Sequence, residues 1–209
     1  MREKKDKGKK DARRKEIVNA AFELMLEKGY EDTGMQDILS KIGATKGCIY
    51  YYFKSKKDIA VAVIDEVIKP HYQSVWGNFY KSDDPLKALC LVIDGIYNSN
   101  AERLSKTGCP LGNLILEISA KDAILAEHTA GVIAIWRSFL ETGLQKAKDA
   151  GIIRANSGIS SISSFIIASF EGCIMMSKSN QSKETLRDCF GSLKNYILSL
   201  ENTEAVNLG

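Results

Sequence analysis

A short aromatic and basic segment, residues 45–53, carries the side chains best suited to binding a nucleic acid. Its sequence is TKGCIYYYF. Successive residues of a helix lie about 100° apart, so the three tyrosines and the phenylalanine cannot all face a core. Ile49 and Phe53 lie four residues apart and are predicted to pack inward. The three tyrosines then fan outward, where their hydroxyl groups can reach phosphates or base edges.

Basic side chains flank these tyrosines. Lys46 lies in the first turn of the predicted helix, beside Gly47, which lets the backbone approach a groove closely. Lys54, Lys56 and Lys57 follow at the start of the next helix, where the helix dipole also favours a phosphate. A recognition helix in the major groove needs this arrangement. An ordinary helical hairpin with a lysine-rich turn is the alternative interpretation.

The elements around this segment predict a helix-turn-helix. A first helix runs from about Asp11 and ends near Gly29. Thr33 and Gln36 have the spacing of a capping box that opens a short second helix, and Gly43 ends it. Thr45 is then positioned to cap the helix that carries the tyrosines.

The rest of the chain is also predicted to be helical. Ser55 and Asp58 form a second capping box, which opens a fourth helix that Pro70 must stop or kink. Pro85 and Pro110 suit first helical positions. Apolar residues recur with helical periodicity and strand-like alternation is absent, so the fold class is all-α, with about nine helices.

The charge is unevenly distributed along the 209 residues, although the net charge is only +3. Residues 1–58 hold 15 Lys or Arg against 10 Asp or Glu, a net of +5. The N-terminal end is therefore suited to a negatively charged partner. Residues 1–10 are predicted to be a flexible basic tail, residues 11–58 a helix-turn-helix domain, and residues 59–209 a larger helical body.

Composition excludes several classes of protein. No apolar run approaches the length of a membrane span, and no apolar stretch follows the basic N-terminus. The five cysteines and two histidines lack metal-ligand spacing, so we expect no metal, no cofactor and reduced thiols in a cytoplasm. No nucleophile–base pair, phosphate loop or paired carboxylate supports an enzyme, so no catalytic residue is assigned. A helical module that binds RNA or an anionic membrane is a weaker alternative.

Two apolar stripes near the C-terminus could each be buried within one chain or against a second copy. One spans residues 159–173 and the other residues 186–200. On this basis the predicted dimer interface comprises Ile166, Phe170, Cys173, Phe190, Leu193 and Ile197.

Residues 13–60 resemble the DNA-binding domain of TetR-family transcriptional repressors. The matching motifs are IVNAAF from Ile17, GY at Gly29, Thr33, DI at Asp37, GATKGCIYYYF from Gly43 and KSKKD from Lys54. The resemblance implies that Lys46, Gly47 and Tyr50 approach bases, and that Thr33, Thr45, Tyr51 and Lys56 position phosphates. Tyr52, where the family often has His or Asn, is a further candidate contact.

The resemblance also implies a homodimeric repressor that binds a palindromic operator in double-stranded DNA and is released by an unknown small-molecule effector. Residues 11–58 would then be its DNA-binding domain and residues 59–209 its effector-binding and dimerisation domain. Pro110 would place Cys109 at a helix N-cap, where a thiolate is stabilised. In some members of the family a cysteine at this place is the sensor, and a small buried structural residue is the alternative. Large or polar groups in the pocket-lining segments give the candidate effector residues Tyr72, Trp76, Cys109, Asn113, Trp136 and Met176.

Overall fold

The protein is described by a computed structural model that covers residues 2–156 and 158–202, with side chains from residue 10 onward. The helices are α1 (Arg2–Lys28), α2 (Met35–Ile42), α3 (Lys46–Tyr52), α4 (Lys56–Val63), α5 (Lys69–Trp76), α6 (Pro85–Thr107), α7 (Pro110–Ile118), α8 (Ala123–Asp149), α9 (Ile159–Asn180) and α10 (Lys183–Leu198). A π-helical turn, Ile64–Ile68, joins α4 to α5 without a break. Over the described residues this gives nine continuous helices and no strand beyond a single bridge between Ile153 and Glu201, which confirms the all-α prediction.

The chain forms two compact units whose boundaries differ from the predicted ones. The first contains the residues up to His71 together with Pro110–Val132, and the second contains Tyr72–Cys109 together with the residues from Ile133 onward. The predicted boundary at residue 58 missed α7 and the first part of α8, because these distant segments join the N-terminal helices through space. The backbone of α1 is helical from Arg2, and the flexibility of the tail over residues 1–10 stays a prediction.

The turns of the helix-turn-helix were largely predicted, with one correction. Gly29 and Gly43 have φ of +88° and +61°, a left-handed conformation that glycine adopts readily, and they follow the ends of α1 and α2. The N-cap of α2 is Gly34, however, and its backbone N–H donates to the Asp37 carboxylate at 2.7 Å. Thr33 is fully buried, and its hydroxyl donates to the Gly29 carbonyl at 2.6 Å. The predicted capping box at Thr33 was therefore wrong by one residue.

Pro70 does not end its helix. It lies at the second position of α5, and the helical stretch that begins at Lys56 continues to Trp76. The π-helical turn immediately before it is the irregularity that accommodates a residue without an N–H group. The predicted capping box does open α4, because Asp58 N–H donates to Ser55 Oγ and Ser55 N–H donates to the Asp58 carboxylate.

The second unit is a helical bundle with an aromatic centre. Helices α6, α9 and α10 pack on one another. Pro85 begins α6, and the Asp84 side chain accepts from Lys87 N–H as the N-cap. Five aromatic side chains lie in consecutive ring contacts at the centre, with centroids 4.9–5.4 Å apart. They are Tyr72, Trp76, Trp136, Phe170 and Phe190, and we call them the aromatic cluster.

The two C-terminal apolar stripes belong to the core of a single chain. All six side chains predicted at the dimer interface are buried, with at most 5% exposure. They are Ile166, Phe170, Cys173, Phe190, Leu193 and Ile197. Helical periodicity identifies the apolar face of a helix without identifying what covers it, and here α9 and α10 cover each other and α6. The prediction for these six residues is corrected accordingly.

Two of the cysteines form a disulfide, contrary to the expectation of reduced thiols. Cys173 on α9 and Cys189 on α10 face each other with a Cα–Cα distance of 5.4 Å, which suits a disulfide. Their separation of 16 residues carries no recognisable motif, so the pairing depends on how the two helices align. Among the described residues, the cysteines outside a disulfide are Cys48, Cys90 and Cys109, and burial raises the pKa of Cys90 to about 11.

Helix α9 has an apolar outward face as well as a buried one. Phe165, Met175 and Met176 are 51–59% exposed, and with Ala168 and Gly172 they recur at helical spacing along one side. We call these five residues the outer α9 face. In the part of the chain that the structure describes, α9 is the one helix whose length and composition would also suit a membrane crossing.

Candidate nucleic-acid interface and effector centre

Helix α3 is fixed by two inward-facing side chains, as predicted. Ile49 is fully buried and Phe53 is 4% exposed. The Arg14 guanidinium lies 4.9 Å from the centroid of the Phe53 ring, and Arg14 is also paired with Glu66. Because apolar burial and these contacts hold one side of the short helix in place, the orientation of its opposite side is fixed as well.

The outward side of α3 presents basic and aromatic groups to solvent. Lys46 and Gly47 are exposed in its first turn, and Tyr50 and Tyr51 are 46% and 61% exposed. The Lys46 ammonium lies 5.8 Å from the Tyr50 ring centroid. Tyr52 is half-buried and packs edge-on against Tyr51 at 4.9 Å. The structure thus brings together most of the predicted DNA contacts on one surface.

The exposed face of α3 extends to its two neighbours. The Lys10 ammonium lies 4.9 Å from the Tyr51 ring centroid, and Lys54 is exposed just beyond the helix. Thr45 is the N-cap of α3 as predicted, and its exposed hydroxyl makes no capping hydrogen bond. We call the residues on this face the α3 surface: Lys10, Thr45, Lys46, Gly47, Tyr50, Tyr51, Tyr52 and Lys54.

Gly47 has no structural need to be glycine. A Cβ built at this position meets no protein atom within 4 Å, and its φ lies outside the left-handed range. Glycine near the start of a helix costs stability relative to alanine. Because the fold does not require the missing side chain, close approach of another molecule to this point of the backbone is the natural explanation for it.

Two predicted phosphate-positioning residues are instead held by the protein. The buried Thr33 hydroxyl is committed to the Gly29 carbonyl and cannot reach a phosphate. The Lys56 ammonium donates to the Tyr30 and Glu31 carbonyls at 2.9 and 3.0 Å and lies 4.4 Å from the Tyr30 ring centroid. Both residues therefore hold the turn between α1 and α2.

Glu117 holds the same turn from α7, which the sequence did not predict. Its carboxylate accepts from Tyr30 N–H at 2.9 Å and from Glu31 N–H at 2.6 Å. A Cβ on Gly29 would lie 3.1 Å from a Glu117 oxygen, so a side chain there would press on this contact. We call Lys56, Glu117 and the turn residues they hold the turn clamp. Its only sequence signal was a glutamate in α7, without any indication of its partner.

Two side-chain contacts connect α8 and the residue just before it to the same N-terminal helices. Lys57 pairs with Asp122 at 2.6 Å, and His128 Nδ1 lies 3.0 Å from an Asp65 oxygen. The Lys57 ammonium, with the Leu125 N–H group, lowers the pKa of Asp122. Lys57 is thus directed at a carboxylate, and the charge that its sequence position suggested for DNA is partly neutralised within the fold.

Four of the six candidate effector residues lie together in the second unit. Tyr72, Trp76 and Trp136 belong to the aromatic cluster. The Cys109 Sγ lies 3.2 Å from the Tyr72 hydroxyl oxygen. All four side chains are buried. As predicted, Cys109 directly precedes α7, which begins at Pro110.

The other two candidates lie elsewhere. Asn113 is in the first unit, where it lines a cavity of about 20 Å³ together with Tyr30, Pro110 and Glu117, room for about one water molecule. Met176 is on the outer α9 face, 53% exposed, and does not join the aromatic cluster.

Two ionisable residues next to these four buried candidates were not predicted from the sequence. Arg103 on α6 and Glu171 on α9 interact electrostatically with Tyr72 and Cys109. Burial raises the pKa of Tyr72 well above its ordinary value, so the phenol is neutral. Among the described residues no group of three or more His, Cys, Asp or Glu side chains is placed to hold a metal ion.

Two family models match the chain. Residues 17–63 match the model for bacterial regulatory proteins of the tetR family. Residues 85–191 match the model for the tetracyclin repressor-like C-terminal domain. The first match contains α2, α3 and most of the helices that support them, and the second contains α6, α7, α8 and α9.

Individual proteins agree with these models. An uncharacterised HTH-type transcriptional regulator from the lacX 3′ region of Lactococcus lactis subsp. lactis is 30% identical over 182 residues, covering 87% of this chain and 91% of the relative. The HTH-type transcriptional repressor DhaR of Mycobacterium sp. strain GP1 is 23% identical over 83% of this chain and 86% of its own length. The crystal structure of a TetR-family regulator from Cytophaga hutchinsonii superposes with a TM-score of 0.81 at 27% identity, over 92% of this chain and 96% of that one.

Proposed function

Because the chain belongs to the TetR family of bacterial regulatory proteins, we propose that it is a dimeric repressor that binds a palindromic operator and leaves it when a small-molecule effector binds. Proteins of this family are helix-turn-helix transcriptional regulators and not enzymes. The cytoplasm, where such a regulator meets DNA, is its proposed location.

The α3 surface carries this proposal. An exposed lysine, an exposed glycine and exposed tyrosines occupy the first turns of a short helix whose other side is fixed by Ile49 and Phe53. A helix held in this way can enter the major groove with its N-terminal residues on base edges, while Tyr51 and Thr45 lie towards the phosphate backbone of the DNA. Lys10 and Lys54 add charge at the margins, whereas Thr33 and Lys56 support the turn behind the helix.

Binding to the protein's own upstream DNA tests this assignment. Fluorescence anisotropy of a labelled duplex, titrated at several salt concentrations, should give affinity that falls steeply with salt, because phosphate contacts release counterions. Lys46→Ala should weaken binding to this duplex more than binding to a shuffled one, whereas Lys106→Ala on α6 should change neither. An equal loss of affinity for both duplexes would show that Lys46 does not contribute to base recognition.

The outer α9 face is the proposed dimer contact, in place of the buried stripes. Exposed Phe165, Met175 and Met176 on one side of a helix form the kind of apolar surface that soluble proteins cover by association. A two-fold pairing of such faces would join two chains, each with one copy of α3, as binding to the two half-sites of a palindrome requires.

The proposed release mechanism acts through the turn clamp. Effector binding in the second unit shifts Cys109, and the chain passes directly from Cys109 into α7, whose Glu117 holds the turn behind the recognition helix. An effector that favours one position of α7 therefore favours one position of α3. The Cys109 thiol is the proposed site of a covalent variant of this mechanism. Cys109→Ser should then bind the operator and lose release by electrophiles, and unchanged release would assign Cys109 a structural role.

A further inference from the structure

A polar centre is buried beside the aromatic cluster in the second unit. Cys109 lies at its middle, with Sγ 3.2 Å from the Tyr72 hydroxyl and in hydrogen-bonding contact with the Glu171 carboxylate. Arg103 interacts electrostatically with both Cys109 and Tyr72. The Trp136 ring packs on Tyr72 with centroids 5.3 Å apart. We call Tyr72, Arg103, Cys109, Trp136 and Glu171 the polar centre.

Three atoms of the polar centre are buried without a hydrogen-bond partner. They are the indole Nε1 of Trp136, the guanidinium Nη1 of Arg103 and the carboxylate Oε1 of Glu171. Trp136 is completely buried, so its N–H group has no access to bulk water. Buried polar groups in folded proteins are nearly always paired, and leaving one unpaired is costly. The two donors and the acceptor belong to side chains that each interact with Tyr72 or Cys109, and they indicate a place where a ligand supplies the missing partners.

The charges of the polar centre limit what that ligand can be. Arg103 remains cationic although burial lowers its pKa, because its ordinary pKa is far above neutrality. Burial raises the pKa of Glu171, and the hydrogen bond with Cys109 opposes the rise. When both groups are ionised, the Arg103 cation and the Glu171 carboxylate offset each other. An additional ion of either sign would leave an uncompensated charge in a low-dielectric interior, which is strongly unfavourable.

We propose that the effector is an uncharged small molecule with a ring-sized apolar body and one polar end that both accepts and donates hydrogen bonds, such as a primary amide. Its oxygen accepts from Arg103 Nη1 and Trp136 Nε1, its N–H or O–H group donates to Glu171 Oε1, and its apolar body lies against the aromatic cluster. This rests on the proposed function, since it assigns the chemistry of the effector that the repressor would answer.

A series of three probes of similar size and different charge tests the proposal: benzamide, benzoate and benzylammonium. The chain has two tryptophans, Trp76 and Trp136, and both lie in the aromatic cluster, so intrinsic tryptophan fluorescence reports on this centre. Benzamide should change the emission in a saturable way and raise the Tm of the full-length protein. Benzoate and benzylammonium should do neither at the same concentrations. Preferential binding of either charged probe, or of none of the three, would overturn the proposal.

Matched variants locate the binding. Arg103→Met and Glu171→Gln should each weaken benzamide binding by about tenfold, the loss expected when one hydrogen bond to a charged group is removed. Arg187→Met and Glu184→Gln, which change the same residue types on the exposed side of α10, should leave it unchanged. Equal effects in both pairs would contradict the assignment. Because the fluorescence measurement needs no DNA, a failure of the protein to bind benzamide can be distinguished from a failure to bind an operator.

Discussion

At the scale of single residues, the exposed face of α3 was predictable and its supports were not. The 100° step between successive helical residues was enough to place Ile49 and Phe53 inward and the tyrosines outward. Thr33 and Lys56 were assigned to phosphates because residue type and family position were the only available information. Their actual partners, the Gly29, Tyr30 and Glu31 carbonyls, are defined by a turn whose geometry does not appear in the sequence.

Gly47 gives the sharpest prediction at this scale. Gly47→Ala should raise the free energy of unfolding by about 0.5 kcal/mol, because alanine has the better helix propensity and its methyl group meets no protein atom. It should also weaken operator binding by about tenfold, if the backbone at this position approaches the groove closely. Thermal denaturation and anisotropy titrations measure the two effects.

Gly95→Ala is the matched control for this change. Gly95 is also a helical, exposed glycine whose added Cβ meets nothing within 4 Å. Its replacement should stabilise the protein without affecting DNA binding. Undiminished operator affinity in Gly47→Ala would show that the α3 backbone does not approach DNA at this point.

At the scale of secondary-structure elements, periodicity predicted the helices well and their partners poorly. The stripes on α9 and α10 were both present, yet either a second copy or a neighbouring helix could have buried them. The same limit applies to α7, which lies far along the chain from α1 and contacts the turn between α1 and α2 through Glu117. Contacts between distant segments require the tertiary arrangement, and capping motifs and periodicity describe only local structure.

The turn clamp predicts a coupled loss of stability and DNA binding. Glu117→Gln replaces a carboxylate that accepts two backbone N–H groups, and hydrogen bonds to a charged group are worth about 1.5–3 kcal/mol each. We expect a drop in the free energy of unfolding within this range and weaker operator binding, since the turn supports α2 and α3. Chemical denaturation and anisotropy measure the two quantities.

Glu127→Gln provides the comparison for the clamp, because Glu127 is exposed on α8. It should resemble the wild type in both measurements. A Glu117→Gln protein that loses stability but retains full operator affinity would show that the turn is structural and does not influence the recognition helix.

The disulfide between α9 and α10 predicts a redox-dependent stability. Cross-linking residues 16 positions apart restricts the unfolded chain and typically contributes about 3 kcal/mol. Addition of a reductant should therefore lower the Tm of the wild type, whereas Cys189→Ser should have the lower Tm with or without reductant. Cys48→Ser, which removes a free thiol, should behave like the wild type. Two alkylatable thiols at positions 173 and 189 in the unreduced protein would contradict the pairing.

At the scale of the whole molecule, the family was evident from the N-terminal quarter of the chain and the all-α architecture from helical periodicity along its length. The division into units was not evident. Residues 110–132 join the DNA-binding helices rather than the rest of the C-terminal region. A boundary drawn where the recognisable motif stops could not include them. The same separation explains why the effector centre was only partly predicted: Arg103 and Glu171 look like ordinary surface charges until their helices are packed.

The outer α9 face predicts how two chains associate. Phe165→Glu should convert the dimer to a monomer in sedimentation-velocity experiments, because it places a charge in an apolar contact. Leu91→Glu on α6 is the matched control, since Leu91 is 69% exposed and lies outside this face. A dimer that persists in Phe165→Glu and dissociates in Leu91→Glu would place the interface on α6.

Sequence-specific DNA binding is the central claim, and one ratio measures it most directly. The dissociation constants for a duplex from the protein's own upstream region and for a shuffled duplex of the same composition should be compared at about 0.15 M salt. We predict a ratio of about 10³ or more in favour of the natural sequence, the range of specific DNA-binding proteins. A ratio near one, with both affinities lost at high salt, would contradict the assignment of the α3 surface as a reader of DNA sequence.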